Sequence, residues 1–250
     1  LPTIITFNYD LVLERSLLQV LIGTHYGAST PLPFRQVQVQ YHYKQVPPTP
    51  YEVKYTAYTR HGMGSASDSE GTLLAKASPA SPSPLRTIEL LKLHGSLNFP
   101  RSRTKLTTGR FDDTLTKAVS DPFILPPVFN KLAGDKASPM WATAIARLRS
   151  AKNLIVVGYS LPTTDVYMQY FLRAGVGPNK NFNKVVVFDP VLFADVPAGR
   201  AMRERYAGCF APQLQERIDF HPSVRSQSLL QGSTQAFVNV LSNEPERLLF

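Results

Sequence analysis

Two short clusters, Asn8-Tyr9-Asp10 and His94-Gly95-Ser96, each follow directly on an apolar run and carry side chains able to handle water and hydroxyl groups. Asn8 offers a neutral amide, which can orient water or a hydroxyl without itself titrating. His94 offers an imidazole whose ordinary pKa of about 6.5 lets it accept a proton near neutral pH. Two later clusters repeat the design: Gly158-Tyr159-Ser160, with Asp165 five residues on, and Asp189-Pro190. Together they supply carboxylates, a hydroxyl and a glycine turn for binding a ligand. Metal chemistry is not expected. The single cysteine, Cys209, cannot furnish the thiolates of a zinc site, and His25, His42, His61 and His221 show no ligand spacing.

Each of these residues also has an ordinary structural use. A histidine before a glycine can simply close a strand. Asn8 and Asp10 suit a turn and a helix cap, and Ser160 and Asp165 suit the cap of a following helix. Asp189-Pro190 can end a strand. Asp112 and Asp113 lack ligand-spaced partners and read as surface loop. What favours chemistry for the first group is the joint placement that the elements impose.

Those elements are apolar runs at 3–7, 88–93, 154–157 and 185–188, each ending abruptly in the polar residues above. Such runs, lacking strict alternation, indicate strands buried on both faces, the habit of parallel sheets covered by helices. Helical patterns lie between them. One runs over 11–22 after Asp10 and stops at Gly23. A second opens at Ser138-Pro139 with Trp141, Ile145 and Leu148 on one face, and a third covers 165–174 and stops at Gly175. Further patterns cover 198–206 and 228–241. The expected fold is α/β, a Rossmann-like parallel sheet with helices on both faces. Ligands of such sheets bind outside the carboxyl ends of the strands, so Asn8, Asp10, His94, Gly158, Ser160, Asp165 and Asp189 are expected along one edge.

Residues 33–86 break the pattern. Val37, Val39, Tyr41 and Tyr43, then Tyr51, Val53 and Tyr55, alternate with polar residues around Pro47-Pro48-Thr49-Pro50, the signature of an antiparallel hairpin. Residues 61–84 are rich in Gly, Ser, Ala and Pro and are expected to be mobile. The organisation expected is one domain formed by 1–32 and 87–250, with 33–86 as an inserted β-hairpin and low-complexity loop outside the main sheet. The hairpin tyrosines, near Lys44, Lys54 and Arg60, could stack nucleic-acid bases. Packing of one tyrosine face on the domain is the expected alternative.

The motifs TFNYD at 6–10, KLHGS at 92–96, GYSLPTTD at 158–165 and VVFDP at 186–190, in that order, resemble sirtuin-like domains, and their style is similar to bacterial antiphage NAD hydrolases. The resemblance implies an enzyme that cleaves the nicotinamide–ribose bond of NAD, an NAD-depleting effector. It implies that Asn8 holds the nicotinamide ribose and the attacking water, and that His94 is the general base or ribose-polarising group. It further implies that Asp10 faces the nicotinamide amide, that Gly158 and Ser160 receive the phosphate and ribose, and that Asp189 approaches the adenosine ribose. Asp165 is typical of the family. NAD is the expected substrate and no zinc is expected. The family's glycine-rich strand and turn, normally upstream of the asparagine, is missing. Gly62-Met63-Gly64-Ser65 lacks the helix that a phosphate loop needs, so the chain is expected to be a fragment or processed product. Rival readings are an NAD or ADP-ribose binding module without catalysis, and a basic scaffold that contacts nucleic acid or a partner protein.

Composition narrows the setting. The 250 residues, 43% hydrophobic, suffice for one substantial core. A formal charge of +9 suits a phosphate-bearing ligand or a polyanionic partner. No run approaches the roughly 18–20 apolar residues that span a bilayer, and the start lacks the order of a signal peptide. A cytoplasmic protein with no membrane contact is expected, acting as a homo-oligomer or with an associated defence protein.

Overall fold

β-Branched side chains favour extended backbone, and Thr3-Ile4-Ile5-Thr6 forms strand β1 (Thr3–Thr6). The computed structural model describes residues 2–17, 36–43, 49–52, 86–101, 117–125, 138–193, 196–220, 233–244 and 246–249. It divides into two units, Leu1–Ala142 and Thr143–Phe250. The architecture is mixed α/β, with Rossmann-like parallel strands and helices. The four apolar runs form strands, two in each unit.

In the first unit, β1 leads into a helix, α1, described over 12–17. Strands β2 (Gln36–Gln40), β3 (Thr49–Glu52) and β4 (Arg86–Lys92) complete a sheet of order β1-β4-β2-β3. β1 and β4 are parallel, with Thr3 opposite Glu89 and Thr6 opposite Lys92. β2 and β3 form the expected antiparallel pair, Val37 opposite Tyr51. However, β2 also runs parallel to β4, with Val37 opposite Arg86 and Gln40 opposite Glu89. The hairpin therefore extends the sheet rather than standing outside it, because it satisfies the backbone groups along the second edge of β4.

A two-residue turn after β4 leads into β5 (Gly95–Pro100), which pairs antiparallel with β6 (Pro122–Ile124). Against it lies an aromatic core. Tyr43 stacks on Phe99 at 4.4 Å and on Phe123 at 5.5 Å, while Tyr41 meets Phe99 edge-on at 5.0 Å. Tyr41 and Tyr43 are buried, so neither offers a ring for base stacking. Helix α2 (Ser138–Ser150) carries the expected face, with Trp141 and Leu148 buried and Ile145 half-buried.

The second unit holds parallel strands β7 (Asn153–Val157), β8 (Lys184–Phe188) and β9 (Ile218–Phe220), in that order. β8 is central and Val185 to Phe188 are fully buried. On one face, Val186 and Phe188 meet Ala236 and Val240 of α6 (Ser233–Asn243) and Leu248 of α7 (Glu246–Leu249). Helix α3 (Val166–Val176) runs through Gly175, which was expected to end it. A Cβ there would lie 2.5 Å from Leu148 Cβ, so this glycine serves close helix packing, and the helix ends instead at its C-cap, Gly177. Helices α4 (Pro197–Ala207) and α5 (Pro212–Gln215) precede β9.

Several expectations lie outside the described residues: the mobility of 61–84, Gly62-Met63-Gly64-Ser65, Asp112, Asp113, His25, His61, His221, Lys44, Lys54 and Arg60, the end of the 11–22 helix and the start of the 228–241 helix. Among the described residues, no helix is long and apolar enough to cross a membrane.

Candidate functional site

The register of β1 against β4 decides where the first two clusters fall. Thr6 and Lys92 are partners in a parallel ladder, and each chain runs two residues further, to Asn8 and to His94. Both therefore emerge at the carboxyl edge of the same pair of strands. Backbone bonds continue the alignment: Leu93 N–H donates to Thr6 O at 3.0 Å, and Leu97 N–H to Tyr9 O at 2.9 Å. Ser96 Oγ reaches the same Tyr9 carbonyl at 3.4 Å. Asn8 is exposed and its N–H donates to Thr6 Oγ1 at 3.1 Å. The half-buried His94 ring packs on Phe7, centroids 5.2 Å apart, and its Nε2 is shielded from solvent.

Gly95 explains why glycine follows this histidine. Its φ of +80° is left-handed, and a Cβ would stand 2.1 Å from the carbonyl oxygen of Phe123. Only glycine lets β5 turn away so tightly beneath the imidazole. Asp10 Oδ1 accepts from Val12 N–H at 3.0 Å and so caps α1, the ordinary use anticipated for it.

Beneath this edge lies a buried charged network. Lys92 Nζ donates to Glu14 Oε1 at 2.7 Å and to the carbonyl of Asp10, and both charged side chains are essentially without exposure. Burial pushes the Glu14 carboxyl up and the Lys92 ammonium down, while their mutual attraction opposes both shifts. The Tyr41 hydroxyl accepts from Asn98 Nδ2 at 3.2 Å and is held above its ordinary range by burial and by the Glu14 charge. Lys92 thus ties the strand that carries His94 to the segment that carries Asn8 and Asp10. Trp141 Nε1 adds a bond to Leu93 O at 3.1 Å.

In the second unit, Val157 and Phe188 are register partners, so Gly158 and Asp189 share a carboxyl edge. Gly158 N–H donates to Phe188 O at 2.8 Å, and its φ of +69° requires glycine. Ser160 is exposed. Asp165 precedes α3 without a side-chain cap bond, and its Oδ2 instead accepts from the Tyr159 hydroxyl at 2.6 Å. Asp189 Oδ1 accepts from Val191 N–H at 3.0 Å, forming the turn that starts a 3-10 segment, Pro190–Phe193. Among the described residues, no group of three His, Cys, Asp or Glu is placed to hold a metal ion.

The structure thus gathers Asn8, Asp10 and His94 at one sheet edge of the first unit, and Gly158, Ser160, Asp165 and Asp189 about one edge of the second. The family model for SIR2-like domains matches residues 2–190, which include all seven. The chain belongs to the SIR2-like domain family. That family includes NAD-dependent enzymes. No curated protein and no solved structure matches the chain.

Sequence reasoning missed Lys92, Glu14, Arg205 and Tyr206. The first two had a signal, a charged residue inside each of an apolar run and a helical leucine pattern. Arg205 and Tyr206 had none, because what they bind lies more than forty positions away.

Proposed function

We propose that this SIR2-like chain hydrolyses NAD at the nicotinamide–ribose bond, with Asn8 and His94 as the catalytic residues. The observation that carries the reading is the parallel register that sets both at one strand edge, although 86 positions separate them. The bond that breaks joins the ribose C1′ to the pyridinium nitrogen, and its electron pair leaves with nicotinamide. The leaving group departs neutral and needs no strong acid, so the enzyme's task is to stabilise a ribosyl cation and guide water to it. Asn8 orients the water and a ribose hydroxyl. His94 accepts the proton that water loses as the new C1′–O bond forms, giving ADP-ribose, nicotinamide and a proton.

Asp10, whose Oδ1 caps α1, is assigned to the nicotinamide amide on the resemblance of its motif. Gly158 and Ser160 are assigned to the phosphate and ribose, and Asp189 to the adenosine ribose. Asp165 acts through Tyr159 and is a positioning residue. The similarity of the motifs to antiphage NAD hydrolases supports a role as the NAD-depleting effector of a cytoplasmic defence system. In that setting the trigger would come from self-association or an associated protein.

Nicotinamide release by the purified protein tests the reading. His94→Ala and Asn8→Ala should each lower the rate by about 10²- to 10⁴-fold while the protein stays folded at the assay temperature. Binding of ADP-ribose by a wild type that releases no nicotinamide would instead establish a binding module, and full activity in both variants would sink the mechanism.

A further inference from the structure

The segment 158–165 is held in an unusual conformation. Besides Gly158, its Leu161 has a positive φ, +50°, which a side chain with a Cβ adopts only when its surroundings over-determine it. Leu161 is fully buried. Its carbonyl accepts from Arg205 Nε at 2.8 Å, and the carbonyl of Ser160 accepts from Arg205 Nη2 at 3.0 Å. The carbonyl of Tyr159 accepts from the Tyr206 hydroxyl at 2.6 Å. Three consecutive carbonyls are thus gripped by two adjacent residues of α4. The loop is closed from its other end by the Tyr159–Asp165 bond described above.

We propose that Arg205 and Tyr206, which lie beyond the residues matched by the family model, are positioning residues that set the 158–165 loop for binding the phosphate-bearing part of its ligand. A trans peptide unit points its N–H opposite to its C=O. Fixing the carbonyls of Tyr159 and Ser160 toward α4 therefore aims the N–H groups of Ser160 and Leu161 the other way, as paired donors suited to an anion. Arginine suits the task because its rigid planar fork presents Nε and Nη2 to two neighbouring carbonyls at a fixed spacing, whereas a lysine ammonium is a single point of donation on a flexible stem. Tyr206 is fully buried. Burial and the nearby Asp189 charge hold its hydroxyl far above the ordinary range, so it remains a donor at every physiological pH.

The inference rests on the proposed NAD reading for the identity of the ligand, and two readouts keep the failures apart. The variants are Arg205→Met, Arg205→Lys and the near-isosteric Tyr206→Phe. The first readout needs no ligand: amide hydrogen exchange across 158–165 should quicken in Arg205→Met and Tyr206→Phe while β7 and β8 stay protected. The second is affinity for ADP-ribose and KM for NAD. Each should weaken by about tenfold, the effect of losing a well-placed hydrogen bond, with kcat at saturating NAD little changed. His94→Ala should show the opposite split, and Arg205→Lys should fall between Arg205→Met and wild type. Unchanged exchange and unchanged affinity in Tyr206→Phe overturn the proposal. Faster exchange with wild-type affinity also overturns it, since the clamp would then be structural alone. A wild type that neither binds ADP-ribose nor cleaves NAD refutes the proposed function before any variant is compared, and removes the ligand from this inference with it.

Discussion

Replacing Lys92 with methionine tests the network beneath the Asn8–His94 edge. Lys92 and Glu14 are 1% and 0% exposed and their ion pair closes at 2.7 Å. Methionine keeps most of the apolar stem but leaves the Glu14 carboxylate facing no cation, and it removes the donor to the Asp10 carbonyl. Deleting one partner of a buried pair costs about 3–5 kcal/mol. For a chain of this size that lowers the melting temperature by roughly 6–20 °C. Removing both charges, Lys92→Met with Glu14→Leu, leaves no stranded ion, so most of the stability should return. The pH dependence adds an independent check. Burial holds Glu14 above its ordinary 4.5, with Lys92 pulling it back down, and loss of Lys92 lets it rise further. A carboxyl raised in the folded state contributes its full stability below the unfolded pKa and loses it as pH rises through the folded one. The deficit of Lys92→Met relative to wild type should therefore be smallest below about pH 4.5 and grow as pH rises toward neutrality. Urea unfolding of the wild type, the single variant and the double variant across that range measures all of this. A single variant within about 1 kcal/mol of wild type at neutral pH, the value of an exposed pair, would refute the argument. So would a deficit that does not vary with pH.

Two further outcomes follow from the same unit. Gly95→Ala should destabilise by more than about 2 kcal/mol, because the added methyl would meet the Phe123 carbonyl at 2.1 Å on a backbone with φ of +80°; a thermal melt matching wild type would show that the β4–β5 turn relaxes freely. Burial pushes the Tyr43 phenol up to about 12, and its hydroxyl donates to Pro100 O at 2.8 Å. A difference titration between wild type and Tyr43→Phe should show the missing phenolate step near pH 12. A step at the ordinary value of 10.0 would show the ring to be open to water.

The four parallel strands and the polar residues at their ends were legible because burial on both faces leaves a local mark, a short apolar run that stops. That mark has limits, and the misses trace to them. Strand β5, Gly-Ser-Leu-Asn-Phe-Pro, shows no alternation because it is buried along nearly its whole length, so its sequence resembles a loop more than a strand. The hairpin within 33–86 reads as detached from the sheet because alternation reports a half-exposed strand and says nothing about its second neighbour, which for β2 proved to be β4. Gly175 read as a helix stop because glycine has two uses, and only the presence of Leu148 across the packing distance selects the second. The same limit governs the site. Asn8 and His94 could be placed on one edge because parallel strands carry their direction with them. Lys92 stands inside an apolar run, which signals burial, but its partner Glu14, 78 positions away, could not be named, because no local pattern encodes it. Tyr206 presents the same case: helical spacing forecast the helix that carries it, yet its bond to the Tyr159 carbonyl exists only in the fold. Chemistry-bearing side chains at strand ends are thus visible in sequence, whereas the residues that hold them in place are chosen by long-range packing.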